Sequence, residues 1–544
     1  MKTKISLAVL GCIVLLAFTK PADPYFDVLK NLDIFASLFR EVNAFYVDEV
    51  DPKALIQTGV QGMLETLDPY TDFIPEEDLE AFNILTTGQY AGIGALISSI
   101  NNRTVITQPY ENFPAHRAGI RVGDEIVSIE GKDVKGKSTS EASALLKGPP
   151  HSEVTIVISR QGKNLTFKMT REQIKISNVV YQGVLENHIG YIKLDDFTPG
   201  AAKEVGDAVT SLTQQGATTL ILDVRDNPGG LLYEAINMVN LFIPKGREVV
   251  ATRGKVREWN KSYATLNTPI DLQTPLIVLI DGGSASAAEI VAGSLQDYDR
   301  AVLIGQKSFG KGLVQTTRQL SYNTQLKITT ARYYIPSGRC IQALDYTHRG
   351  KDGSVKKFAD SLKSAFQTKS GRTVYDGGGL DPDIAIIRRP YGSALIQLAQ
   401  SGLIFEYATH YCNQHPDLKS LVNFKLTDSE FQQFSDFLNE KKFVYSTDLE
   451  SQLKTLTESA KQSRQYEELQ ANLQAIKSKV SGSHTGYMLR FRDEIQPLLE
   501  EEIGFHATLH KGRAEASFDH DPELLEAKRI LGDLESFQKL LVPR

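Results

Sequence analysis

Leu276-Ile277-Val278-Leu279-Ile280-Asp281-Gly282-Gly283-Ser284-Ala285-Ser286-Ala287-Ala288-Glu289 sets the architecture. Five apolar residues in a row make a buried strand. Two glycines end it, and an apolar helix is predicted over 287–296. Strand, glycine turn and helix form the unit of an α/β sheet, whose sites sit at the strand ends. A serine on such a turn is exposed beside a helix N-terminus, where backbone amides favour developing negative charge. Working outward, strands are expected over 190–194, 219–224, 301–304, 326–334 and 384–387. Helices are expected over 201–213 and 232–242. Residues 340–379 read as a charged, poorly periodic insertion.

A nucleophilic serine needs a base. The segment holds no histidine, and His188 and His348 lie in contexts without a catalytic pattern. A lysine serves when burial lowers its pKa enough to leave it neutral. Lys311, in Gly305-Gln306-Lys307-Ser308-Phe309-Gly310-Lys311-Gly312, follows the strand 301–304 and is the candidate. Ser286 is the candidate nucleophile and Ser284 its rival. Gly305 to Lys311 also fits the start of a phosphate-binding loop. The next residue is Gly312 rather than Ser or Thr, however, and the sequence beyond is β-like. Ser308 to Lys311 fits S-x-x-K, but Gly310 and Gly312 disfavour the helical turn that motif needs.

Upstream, residues 24–39 carry apolar residues at helical spacing, with Asp23 as cap and Pro24 at the first position. A second helix is expected over 54–67. From 88 to 171 short strands and turns take over, with a helix over 140–146. Downstream of Pro390 the chain reads as helical. Thr427-Asp428-Ser429-Glu430 forms a capping box there.

The 544 residues suggest about three or four domains. A net charge of −6 gives no basic excess for nucleic acid. Cys12, Cys340 and Cys412 make neither a disulfide framework nor a metal site. A pairing of Cys340 with Cys412 is left open. Lys2 and Lys4 precede an apolar run over 5–18, which reads as a signal peptide cleaved near Thr19, or else an uncleaved single anchor. The protein is therefore expected to be exported to the periplasm or cell envelope, with any membrane tether through that leader alone.

Two resemblances add to this. Ala118-Gly119-Ile120 followed by Val122-Gly123-Asp124-Glu125-Ile126-Val127-Ser128-Ile129 and Gly131 resembles the core of a PDZ domain. Such domains add a peptide C-terminus as a strand and hold its carboxylate on backbone amides. Tyr90, Ala91, Gly92, Ile93 and Gly94 stand where that loop is implied. Ser284-Ala285-Ser286-Ala287-Ala288-Glu289, with a lysine 25 residues after the second serine, resembles the C-terminal processing peptidases, or tail-specific proteases. Asp223-Val224-Arg225-Asp226-Asn227-Pro228-Gly229-Gly230-Leu231 resembles another of their motifs.

The resemblance implies Ser286 as nucleophile, Lys311 as general base and Gln315 as its orienting partner. The implied oxyanion donors are the backbone N–H groups of Ala287 and of Gly229 or, by preference, Gly230. Asp223 and Arg225 read as structural. No metal or organic cofactor is implied, and the partners are proteins or peptides with free C-termini, with a homo-oligomer left open. The expected fold is α+β and multidomain: signal peptide 1–19, N-terminal helices 20–87, PDZ domain 88–172, α/β Ser–Lys protease core 173–388 and a helical extension 389–544. The rival functions are a non-catalytic PDZ scaffold, opposed by the intact Ser286 and Lys311, and a hydrolase of non-peptide substrates, opposed by the PDZ segment.

Overall fold

The computed structural model describes residues 24–350, 353–388, 390–445, 447–480, 488 and 490–543. The expected leader, Cys12 and the cap at Asp23 lie outside them. The chain divides into two units, residues up to 73 with 326–328, and the remainder. The first holds helices α1 (Pro24–Phe45) and α2 (Pro52–Glu65). Helix α2 starts two residues before the expected 54, because Asp51 accepts from the Lys53 N–H and Pro52 supplies the first position. Among the described residues no helix is long and apolar enough to cross a membrane.

In the second unit, helix α3 (Leu79–Thr87) leads to β1 (Gln89–Gly92) and then a small sheet. Its strands are β2 (Ala95–Ile100), β3 (Arg103–Pro109), β4 (Glu125–Ile129), β5 (Lys132–Asp133), β6 (Glu153–Arg160) and β7 (Lys163–Thr170). The order is β2-β3-β4-β6-β7, with β5 on β4. Helices α4 (Pro114–Arg117) and α5 (Thr139–Leu146) complete the domain, and Ser138 and Glu141 cap α5 reciprocally. Strand β8 (Glu172–Lys175) returns to pair with β1. Buried Arg171 satisfies the end of α5 by donating to Leu146 O at 2.9 Å and Leu145 O at 3.0 Å.

The main sheet comprises β9 (Val179–Leu185), β10 (Ile189–Leu194), β11 (Thr219–Asp223), β14 (Leu276–Ile280), β15 (Ala301–Gly305) and β22 (Ile384–Ala385), in that order. Only β9 runs antiparallel to its neighbour. Helices α6 (Ala201–Gln214), α7 (Leu232–Phe242) and α8 (Ala287–Asp297) cover one face through Leu220, Leu222, Val278 and Ile280. Both faces are buried, which is why the central strands are continuously apolar. A second sheet carries β12 (Glu248–Gly254), β13 (Lys261–Ala264), β16 (Leu313–Gln319) and β17 (Gln325–Tyr334). Short strands β18 (Leu344–Asp345), β19 (Lys356–Lys357), β20 (Ala365–Gln367) and β21 (Thr373–Tyr375) pair in twos within the insertion.

The tail comprises α9 (Ser393–Gln400), α10 (Leu403–Gln414), α11 (Asp428–Glu440), α12 (Asp448–Gln462), α13 (Tyr466–Val480), α14 (Arg492–Ser517), α15 (Pro522–Leu531) and α16 (Leu534–Leu540). The capping box at Thr427 and Glu430 forms as expected. The tail is not a free-standing bundle, however. Phe518, Leu524, Ala527, Ile530, Leu531 and Phe537 cover the second face of the main sheet, over Ile189, Tyr191, Ile221, Ile277, Leu279, Val302 and Ile304. Helices of the extension thus supply the third layer of the α/β core.

Candidate active site

The turn from β14 into α8 places Ser286 at the helix N-cap with φ 53° and ψ −112°. A non-glycine residue at positive φ costs about 1–3 kcal/mol and persists only when its surroundings hold it. Glu289 does the holding. Its side chain is fully buried and accepts from the N–H of Ser286 at 2.9 Å, of Gly310 at 2.8 Å and of Lys311 at 2.9 Å, and from the Ser308 hydroxyl. Ser286 and Lys311 use the same oxygen, Oε2. The buried Tyr333 hydroxyl also lies within hydrogen-bond reach of the carbonyls of both residues and shares its one proton between them. The turn bearing the serine and the loop bearing the lysine are therefore tied at two points.

Burial pushes the Glu289 carboxyl up, to about 7, against the four donors that pull it down. Folded Glu289 therefore holds a proton that the unfolded chain, titrating near about 4.3, releases. The stability this lends is full below about pH 4 and is lost as pH rises through about 7. From pH 4 to 8 the wild type is expected to lose on the order of 3 kcal/mol more than Glu289→Gln, at about 1.36 kcal/mol per unit. Urea unfolding across that range measures it, and parallel slopes for the two proteins refute it.

Gly229 abuts the serine turn. At φ 96°, a Cβ there would lie 2.7 Å from Ala285 O, 2.8 Å from Ala287 N and 2.8 Å from Ser286 Cβ, so only glycine fits. Its N–H donates to Asn227 Oδ1 at 2.9 Å and is spent inside the turn. Ser284 is not a rival nucleophile. It is buried, with its hydroxyl on Val224 O at 2.7 Å and accepting from Asp281 N at 3.0 Å. Ser308 is likewise engaged, accepting from Leu380 N at 2.6 Å, and 306–312 is not helical. Gln315 lies on β16 and donates to Thr329 Oγ1 at 3.1 Å. Exposed His348 bonds Asp345 at 2.7 Å within the insertion.

Asp223 is wholly buried. Burial pushes its carboxyl up, but Arg225 and Lys193 outweigh this and hold it well below the usual carboxylate range. Arg225 grips it through Nε at 3.0 Å and through Nη2 at 2.5 Å, and the Tyr191 hydroxyl donates at 2.7 Å.

The proposed carboxylate loop is deployed differently from the expectation. Tyr90, Ala91 and Gly92 form β1 and pair with Ile174, Gln173 and Glu172 instead of looping freely. Ile93 is buried, and Gly94 turns at φ 74° into β2, the edge strand of its sheet. Cys340 and Cys412 are free thiols.

Glu289 is the functional candidate that the sequence reading passed over. Its signal was present, since Ser286-x-x-Glu289 has capping-box spacing.

Residues 188–348 match the model of peptidase family S41, 105–160 that of a PDZ domain, and 394–531 that of the C-terminal helical domain of a probable PDZ-protease. A carboxy-terminal-processing protease of Bartonella bacilliformis is 38% identical over 327 residues, 59% of this chain and 75% of that one. A probable CtpA-like serine protease of Staphylococcus aureus is 35% identical over 315 residues, 57% of this chain and 63% of that one. Among solved structures, a photosystem II D1 C-terminal processing protease is similar over 64% of this chain and 85% of its own, at 28% identity and a TM-score of 0.35.

Proposed function

Since the chain belongs to the carboxy-terminal-processing protease family of S41 serine peptidases, we propose that it is an endopeptidase working through a Ser286–Lys311 dyad on proteins with exposed C-termini. The observation that carries this reading is the shared Glu289 carboxylate, which holds the backbones of Ser286 and Lys311 together beside the Gly229–Gly230 turn. Lys311 Nζ takes the Ser286 proton as Oγ attacks the scissile carbonyl. The N–H groups of Ala287 and Gly230 receive the oxyanion. The leaving amine departs with the proton, and water then hydrolyses the acyl-enzyme, with Gln315 orienting the lysine. The charged-then-apolar leader supports export to the cell envelope.

Edge strand β2, beside the turn at Ile93 and Gly94, supports tail recognition by strand addition. The expected result is faster cleavage of a peptide with a free, apolar C-terminus than of its amidated twin at sub-saturating concentration, with Ser286→Ala inactive on both. Mass spectrometry of the products reads this out. Equal rates for the two peptides would show that the carboxylate is not read.

A further inference from the structure

We propose that Asp521 and Glu523, at the start of α15, are positioning residues for the reaction at Ser286. They act through Arg225 on the turn that carries Gly229 and Gly230.

Arg225 lies in that turn, and its guanidinium works in two directions. Nε and Nη2 hold Asp223 at the end of β11, while Nη1 reaches Asp521 at 2.7 Å and Glu523 at 3.3 Å in the helical extension. Asp521 is fixed as the cap of α15, accepting from the Leu524 N–H at 3.0 Å. Glu523 is fully buried and is gripped from the core side by Arg388, with Nε at 2.7 Å, and by Gln306 at 3.3 Å. Lys193 completes the set. Its ammonium lies 3.4 Å from Asp223 and donates to the carbonyl of Arg225 itself. Three carboxylates thus face three cations in one cluster.

The chain leaves this cluster directly into the site. Asp226 N donates to Asp281 Oδ1 at 2.9 Å, and Asn227 O accepts from Ala285 N at 2.9 Å, one residue before the nucleophile. Removing the extension's two negative charges takes both acceptors from Nη1 of the nearly buried Arg225 and leaves Asp223 as its one carboxylate in this cluster. Arg225 Nη1 then has to find other acceptors, and its backbone runs on within two residues to Asn227, whose carbonyl holds Ala285 beside Ser286. A shift of about 1 Å there suffices to misplace the oxyanion donors. The apolar contacts of α15 and α16 with the main sheet hold the carboxylates in place.

The inference rests on the reading of Ser286 as nucleophile and of the Gly229–Gly230 turn as oxyanion wall. The test is steady-state cleavage of a fluorogenic peptide by the full chain. The double variant Asp521→Asn/Glu523→Gln is expected to lose about 10²-fold in kcat with KM within about twofold. Asp521→Glu, which keeps the charge, is expected to stay within about threefold of wild type. Leu531→Val, which loosens the same helix without touching Arg225, should lower the melting temperature and leave kcat within about twofold. If the double variant does not fold, Asp521→Asn alone is expected to cost about tenfold in kcat. Wild-type kcat in a folded Asp521→Asn or double variant, or an equal loss in Leu531→Val, overturns the proposal. Activity that survives Ser286→Ala would instead overturn the reading beneath it.

Discussion

Lys311→Ala and Ser286→Ala are each expected to lower kcat by on the order of 10⁴-fold or more, with the double variant falling no further, because the proposed dyad acts as one unit. The proton on Ser286 Oγ has to leave as the carbonyl is attacked, and in the proposed mechanism Lys311 is the base that takes it. The contrast is Ser284→Ala. Its hydroxyl is committed to Val224 O and Asp281 N, so that variant loses about 1–3 kcal/mol of stability while keeping its nucleophile. Peptide cleavage by proteins whose circular dichroism matches wild type separates the two cases. Turnover near the wild-type level in a folded Lys311→Ala protein would assign the base elsewhere.

A chain ending at Ser517 is expected not to fold. It would strip Phe518 and helices α15 and α16 from the main sheet and bare Ile189, Tyr191, Ile221, Ile277, Leu279, Val302 and Ile304. At about 1.5–3 kcal/mol for each large apolar side chain, the loss equals or exceeds the ~5–15 kcal/mol by which a domain is stable. The same cut removes both carboxylate partners of Arg225. Soluble yield and a thermal melt check this outcome. A truncated protein with a cooperative transition near that of the full chain would mean that these helices are an accessory layer.

The central strands and the catalytic turn were legible because their signals are local. Residues 276–280 are uninterruptedly apolar, and β14 spans them; β15 exceeds its expected range by one residue. Strands β12 and β13 escaped notice because Glu248–Gly254 and Lys261–Ala264 mix charged and apolar residues on a partly exposed sheet. Tyr90 to Gly92 read as a loop because small residues suit a turn as well as a strand. Their pairing with Glu172–Lys175 is set by a partner 80 or more residues on. Asp223 and Arg225 read as structural from the sequence, but nothing local reports that Arg225 meets a residue 296 positions away. Helical periodicity likewise predicts α15 without saying which surface it covers.

The third layer of the core also carries a consequence for timing. Helix α15 begins about 330 residues after β10, whose strand it covers. At about 5–20 residues per second, the two are synthesised roughly 15–65 s apart. Over that interval the nascent sheet has one bare face, and Arg225 lacks two of its counter-charges. A chain interrupted before α15 is thus expected to lack the completed third layer, so the proposed activity is expected only once the last helices have been made.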